Sequence, residues 1–257
     1  MLSISVVIIV RNEEKVILRC LNSVQPFADE IVVVDSCSND HTATICRDFG
    51  CKVFQREFDG FGSQKQFAVN QATHDWVFSI DADEVVTDEL QQEILTIKKD
   101  FKPTAEKTGN QDVGFRIPFS LCFMGHIMRY SGVGKEVHLR IFNRTHGRFT
   151  LVPVHEGIEV QGHVGLLKGK IIHYSYRNIS HHLEKINGYT TQAAQGYFDQ
   201  GKVYSKLWPA LKFPASFLSF YVLKKGFMDG YPGFMWSFLA AVYATLKVAK
   251  TIELKTS

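Results

Sequence analysis

The sequence predicts an α/β protein built on a mostly parallel sheet covered by helices, and three features carry that prediction. The first hundred residues alternate β-branched apolar runs with stretches of helical spacing. The apolar runs tend to end in polar or acidic clusters, as strands do where they deliver side chains to one edge of such a sheet. The helical stretches carry capping residues and end charges of the right sign.

Taken in order, Ser3–Val10 is the first β-branched run. Glu13–Ser23 follows with apolar residues at Val16, Ile17, Cys20, Leu21 and Val24, a helical spacing. Glu30–Asp35 is a second run, and Ser36–Asp40 supplies caps for a helix through about Phe49, which Gly50 terminates. Lys52–Arg56 is a third short strand, and Gly60-Phe61-Gly62 opens a segment that becomes helical over Gln64–Ala72. Trp76–Ile80 is the fourth strand, apolar enough to be buried on both faces. Asp88–Asp100 is a helix with acids in its first turn and Lys98-Lys99 in its last. Lys102–Val113, with Pro103 and Gly109, reads as an exposed loop. Antiparallel strands are expected at Gly114–Ile117, His138–Asn143, Arg148–Leu151 and Lys170–Tyr176, with a polar helix over Ser180–Gln200. Gly125–Val137 holds three glycines and reads either as an active-site loop or as a turn-rich insert.

At 257 residues the chain can bury a full core, and its apolar and charged fractions of 45% and 21% are those of a soluble protein. Five cysteines, odd in number and without a C-x-x-C pair, argue for reduced cytoplasmic thiols rather than a disulfide framework or a zinc site. The N-terminal apolar run stops at Arg11-Asn12-Glu13-Glu14 and reads as a strand rather than a signal peptide. The net charge of +3 hides an asymmetry: from Lys202 onward eight lysines stand against two acids, Asp229 and Glu253. A basic, aromatic tail therefore follows a mildly acidic body, and no feature marks nucleic acid as a partner.

The stretch of most chemical interest is Asp75–Asp88. Asp81 and Asp83 lie one residue apart at the end of a buried strand and, in an extended segment, point the same way. Two like charges there repel unless something positive sits between them. One reading is a divalent cation, since magnesium or manganese takes one or two carboxylates plus substrate phosphates. The other is a polar turn capping the next helix, a role that Thr87 and Asp88 already offer. Arg11-Asn12-Glu13, Asp35 and Asp81-Ala82-Asp83 fall along one sheet edge, where open α/β sheets bind ligands. Neither G-x-G-x-x-G nor a P-loop occurs.

The motifs VVIIVRNE (Val6–Glu13), IVVVDSCSND (Ile31–Asp40), GSQKQFAVNQA (Gly62–Ala72) and DWVFSIDADEV (Asp75–Val85) resemble family 2 glycosyltransferases of the GT-A fold. LRIFNR (Leu139–Arg144), VHEG (Val154–Gly157), IHY (Ile172–Tyr174) and the tail motif Lys224–Pro232 narrow the resemblance. They point to the bacterial lipopolysaccharide inner-core β-1,4-glucosyltransferases. The resemblance implies a catalytic domain over 1–200, with a Rossmann-like nucleotide-sugar-binding half (1–100) of mixed sheet and an acceptor half (101–200). A helical, amphipathic tail over 201–257 follows. By similarity, Glu13 and Asp35, with Asn12 beside them, contact the uridine of a UDP-sugar, and Lys65 lies near the base or diphosphate. Asp81 holds the donor ribose or the metal, Mg2+ or Mn2+. Asp83 coordinates that metal, and His173 is a further metal or diphosphate ligand. Glu156 stands where the family places its catalytic base. The implied reaction is inverting transfer of a hexose, glucose first, to a lipopolysaccharide core or related lipid-linked glycan. Gly132-Val133-Gly134 departs from the family, whose members more often carry an aromatic residue and a proline there.

Two other enzyme classes share features of the pattern. Asp81-Ala82-Asp83-Glu84-Val85 also matches the first motif of haloacid-dehalogenase-type phosphatases, but that chemistry needs a late acidic pair, and the aspartates after Asp88 are unpaired. A sugar-nucleotide-forming nucleotidyltransferase wants a Gly-rich first loop, which Arg11–Glu14 is not. Arg140 and Arg144 read equally as phosphate ligands or as a solvated strand face. The tail reads as a peripheral attachment to an anionic membrane, the inner face of a bacterial cytoplasmic membrane. Alternatively its aromatics pack against the catalytic domain or a second subunit of a homodimer.

Overall fold

The computed structural model describes residues 2–100, 112–134, 136–150 and 157–256. Within it the chain divides into two compact units, Met1–Phe119 with Glu136–His173, and Ser120–Lys135 with Tyr174–Ser257. The helix expected near Ser180–Gln200 groups with the C-terminal segment in this division. The expected loop Lys102–Val113 lies largely outside the described residues, as does Leu151 of the expected third late strand.

The first unit opens with β1 (Ile4–Val10), α1 (Ile17–Val24), β2 (Glu30–Asp35), α2 (Thr42–Asp48), β3 (Lys52–Gln55), α3 (Phe61–Gln71) and β4 (Trp76–Ser79). The four strands are parallel in the order β3-β2-β1-β4, as the alternating pattern predicts. β5 (Glu84–Val86), α4 (Asp88–Asp100) and β6 (Asp112–Phe123) follow, and β6 ends in the second unit, where β7 (His126–Ile127) pairs with it. Next come β8 (Val137–Asn143), β9 (Gly147–Phe149), β10 (Ile158–Val160), β11 (His163–Leu166) and β12 (Ile171–His173). From β4 the sheet continues through antiparallel β8 and β6 to β12 and β5, while β9 and β10 form a separate ribbon.

The continuous apolar run of β1 is explained by its two covered faces. Ile4, Val6, Ile8 and Val10 point to a cluster that includes Ile17, Leu21 and Val24 of α1 and Leu90 and Ile94 of α4. Val7 points the other way, to Ala68 and Val69 of α3 and to Phe142 and Phe149. A period of two divides one strand between two cores. Ile17, Leu21 and Val24 are fully buried, each stabilising the fold by about 1.5–3 kcal/mol. Cys46 and Cys51 are free thiols that burial pushes up to about 12 and 11, so neither forms a thiolate readily.

The first helix begins later than its apolar spacing suggests, and the second begins where its caps place it. α1 starts at Ile17 because Asn12 takes a left-handed conformation (φ 57°) and the chain turns before entering the helix. α2 starts at Thr42, just after the expected caps: Asp40 Oδ1 accepts from Thr42 N–H (3.0 Å), while the same segment bonds to the β1 loop, Asn12 N–H donating to Ser38 Oγ (2.9 Å), Asn39 N–H to Asn12 Oδ1 (2.8 Å) and Glu14 N–H to Asp40 Oδ2 (3.2 Å).

The second unit contains α5 (Ile179–Asp199), capped by Asn178 accepting from His181 N–H, then α6 (Trp208–Leu218), a π-helical turn (Ser219–Leu223), a 3-10 turn (Gly226–Asp229) and α7 (Gly230–Thr256). Its core joins Phe123, Met128, Ile186 and Leu239, with Tyr176 and Trp236 packed against them. The buried stripe of α7 includes the small residues Gly233, Ser237 and Ala241 at four-residue spacing, and Phe234 and Phe238 project outward against Phe213, Phe217 and Tyr221 of the preceding helical segments. A Cβ on Gly233 would come within 1.9 Å of the Gly226 carbonyl oxygen, so only glycine permits this contact. Among the described residues no helix is long and apolar enough to cross a membrane.

Within the Lys224–Pro232 motif, Asp229 is 4% exposed and accepts from Arg129 N–H (3.1 Å) and Tyr130 N–H (2.9 Å), with His126 Nε2 at 3.2 Å. A buried carboxylate that ties the 126–130 segment to the tail is costly to remove, because its backbone donors are left without acceptors. Asp229→Ala is expected to lower stability by about 2–4 kcal/mol in chemical denaturation, with Asp229→Asn losing less because it retains an acceptor oxygen.

Candidate active site

The parallel register brings the carboxyl ends of β1, β2 and β4 to one edge, pairing Val10 with Asp35 and Val7 with Ser79. Three groups of side chains form there or beside it. The first lies around Asp35, which is 2% exposed and accepts from Ser38 N–H at 3.1 Å and from the Ser38 hydroxyl. Asn12 joins it through Ser38 and Asn39, and Glu13 N–H donates to Thr42 Oγ1 at 2.8 Å. Asn12, Glu13 and Asp35 are thus drawn into one hydrogen-bonded loop pair.

The second group is an ion cluster at the end of β4. Lys65 Nζ of α3, itself 8% exposed, sits 3.0 Å from Asp81 Oδ1. Arg140 of β8 reaches Asp81 Oδ2 at 3.4 Å and Glu84 Oε1 at 2.6 Å, and Glu84 Oε2 accepts from Asp81 N–H at 2.9 Å. Burial works against the Asp81 charge, yet Lys65 and Arg140 outweigh it and hold that carboxyl well below the usual range. Burial pushes the Glu84 carboxyl up, the Asp81 charge adds to this, and Arg140 opposes both. Arg140 Nε has no partner among the described residues. The Asp81 side of this cluster lines a cavity of about 360 Å³ with Lys65, Arg116, Arg140, His138 and Phe149. Three cations and an aromatic ring around one pocket suit a polyanionic ligand.

The third group is Asp83 with His173 of β12, Oδ2 to Nε2 at 3.2 Å, both about one-third exposed. Burial lowers the tendency of His173 to protonate, but its hydrogen bond to Asp83 and the acidic charges around it raise it. Among the described residues no three His, Cys, Asp or Glu side chains form a metal cage. A carboxylate and an imidazole side by side nevertheless fit Mg2+ or Mn2+, which takes few protein ligands and completes its shell with water and phosphate oxygens. Glu156, with His155, lies outside the described residues.

Sequence reasoning gave Glu84 no role, although it follows the Asp-Ala-Asp motif directly. It did not single out Arg116, whose only mark is its place between Phe115 and Ile117 in an alternating strand. It left Arg140 and Arg144 with the same two readings, and the structure separates them. Arg140 enters the ion cluster, whereas Arg144 donates to the carbonyl of Ala72 (2.7 Å) at the end of α3, a helix-capping role.

The glycosyl transferase family 2 model matches residues 5–119, the span from β1 into β6. An uncharacterized glycosyltransferase of Rickettsia typhi is 31% identical over 99% of this chain and 88% of its own length. The lipopolysaccharide core biosynthesis glycosyltransferase LpsC of Rhizobium meliloti is 31% identical over 98% of this chain and 93% of its own. A solved mannosyltransferase of Pyrobaculum calidifontis, in complex with GDP-Man and Mn2+, covers 98% of this chain and 87% of its own at a TM-score of 0.52 and 15% identity, and so shares the GT-A-like fold. With identity of this level running nearly end to end and the motif-bearing strands inside the matched span, the chain belongs to glycosyl transferase family 2.

Proposed function

We propose that this glycosyltransferase moves a hexose, glucose in the first instance, from a UDP-sugar to a hydroxyl of a lipopolysaccharide core or related lipid-linked glycan, with inversion at the anomeric carbon. The observation that carries the proposal is the cation-lined cavity at the end of β4, whose walls Lys65, Arg116 and Arg140 share with Asp81. A nucleoside diphosphate is the polyanion that such an edge of an α/β sheet suits. The name of the Rhizobium relative supports the acceptor class.

In this reading residues 1–100 bind the donor, with Asn12, Glu13 and Asp35 on the uridine side and Lys65 toward the diphosphate. Asp81 faces the donor ribose, and Arg140 keeps Asp81 and Glu84 aligned, acting as a positioning residue. Asp83 and His173 hold Mg2+ or Mn2+, which when bound neutralises charge on the leaving diphosphate. Residues 101–200 receive the acceptor, where the Glu156 carboxylate takes the proton of the attacking hydroxyl. The acceptor oxygen forms a bond to the anomeric carbon as the bond to the diphosphate oxygen breaks, and UDP departs with that electron pair. A single displacement turns an α-linked donor into a β-glycoside. The tail, 201–257, attaches the enzyme peripherally to an anionic membrane face where a lipid-linked acceptor is met, with a homodimer contact as the alternative role of its aromatics.

A panel of nucleotide sugars, scored by nucleotide release with and without Mn2+, tests the donor and the metal together. Chelation and Asp83→Ala are each expected to abolish transfer without unfolding the protein, and full activity in excess chelator would refute the metal assignment. Glu156→Gln keeps the shape and removes the basicity, so turnover should fall by about 100-fold or more while UDP binding changes little. An unchanged rate would move the base elsewhere. Arg140→Met leaves Glu84 buried beside Asp81 and should cost about 3 kcal/mol of stability, and Arg140→Met combined with Glu84→Leu should recover most of it. If Arg140 positions the site, the double variant will fold yet remain poorly active.

A further inference from the structure

The second unit holds a cavity of about 570 Å³ between α5, α6 and α7, within the range of about 300–1,000 Å³ that accommodates small molecules. Its walls are aromatic and aliphatic, among them Ile186, Trp236, Leu239 and Tyr243. Three lysines, Lys185, Lys212 and Lys247, also line it, and no carboxylate does. Lys185 Nζ donates to the Ser175 carbonyl (3.0 Å), and Lys247 Nζ lies over the rings of Tyr197 and Tyr243 at 5.0 and 5.6 Å. Like charges gathered on an apolar cavity repel and are poorly solvated, and an anion placed among them relieves both costs.

Two further atoms point to a ligand. His182 is 6% exposed and lines the cavity, and among the described residues its Nδ1 has no hydrogen-bond partner; the same holds for Nε1 of Trp236. Buried polar atoms of this kind are normally satisfied, so two on one cavity wall mark where a ligand oxygen would sit. The surface of the same unit indicates where the ligand comes from. Leu207, Leu211, Leu218 and Leu223 are each more than half exposed, and Lys206, Lys224 and Lys225 stand among them. Such a mixture of exposed aliphatic and basic residues suits the headgroup plane of an anionic bilayer.

We propose that this cavity binds one anionic lipid from the bilayer, its acyl chain along Ile186, Leu239, Tyr243 and the ring of Trp236, an ester oxygen at His182 Nδ1 and Trp236 Nε1, and its phosphate against Lys185, Lys212 and Lys247. The lipid is a bound ligand of the second unit and undergoes no reaction there. This inference stands apart from the transfer reading, since binding is measured without donor or acceptor and either can fail alone.

The test uses the full chain carrying Trp208→Phe, so that Trp236 is the sole tryptophan of the second unit. Vesicles of phosphatidylglycerol with brominated acyl chains, which quench a tryptophan they touch, are compared with brominated phosphatidylcholine vesicles and with inorganic phosphate alone. Saturable quenching is expected with phosphatidylglycerol, weakened about fivefold for each of Lys185→Gln, Lys212→Gln and Lys247→Gln. Ala244→Phe, which fills the cavity, should remove the quenching while flotation with the vesicles persists. Ala215→Phe, at an exposed wall position, repeats that test should Ala244→Phe melt early. Equal quenching by phosphatidylcholine would overturn the anionic assignment. Quenching unchanged by both filling variants would overturn the cavity, and a Trp236 emission change with inorganic phosphate that follows the same lysines would replace the lipid by a free anion.

Discussion

The ion cluster at the end of β4 is the constraint on which the first unit depends. Asp81 is held by Lys65 from α3 and Arg140 from β8, and Arg140 also holds Glu84 at the start of β5. Four elements therefore meet in one set of charges. The buried Glu84 carboxylate and the partly buried Asp81 beside it would repel without these cations, whereas with them each has a near neighbour of opposite sign. The same cations line the adjoining cavity, so the groups that make Asp81 tolerable also shape its surroundings for an anionic ligand. The stability of the cluster and the charge of the cavity rest on the same side chains.

The cluster can form because the sheet places its contributors from opposite directions. Parallel β1, β2 and β4 deliver their carboxyl ends to one edge, and antiparallel β8 brings Arg140 back alongside β4. The register pairs Phe78 with Ile141, so Arg140 lies just beyond the last paired residue of β4, level with the chain as it leaves the strand. A shift of one residue in β8 would turn Arg140 to the other face and leave Asp81 and Glu84 without it. The fully covered strand β1 resists such shifts in the parallel half, since both of its faces are filled.

The second unit is organised by close approach rather than by charge. Small residues on α7 let it lie against the turn at Gly226–Asp229, and Asp229 then secures the 126–130 segment through backbone donors. With the small side chains turned inward, several large ones, Phe234 and Phe238 among them, are left on the outer side. This arrangement gives the unit both its exposed apolar surface and its aromatic cavity.

The sequence by itself determined the alternation of strands and helices over the first hundred residues, because burial on two faces demands unbroken β-branched runs and amphipathic helices demand a 3.6-residue period. It also determined that Asp35, Asp81 and Asp83 stand at strand ends, since a polar residue closing an apolar run has nowhere else to go. Helix starts were less legible: Asp40 caps α2 through Thr42 N–H as its composition suggests, but only the pairing of two loops across the sheet shows that Asn12, Ser38 and Asn39 bond to one another. The different fates of Arg140 and Arg144 were decided by tertiary structure alone, because both sit in the same short motif and differ only in what β4 and α3 place opposite them. Glu84 became a partner of Arg140, and His173 a partner of Asp83, through contacts spanning 56 and 90 residues. No local period encodes contacts of that separation, since they arise only when strands far apart in the chain are brought into register.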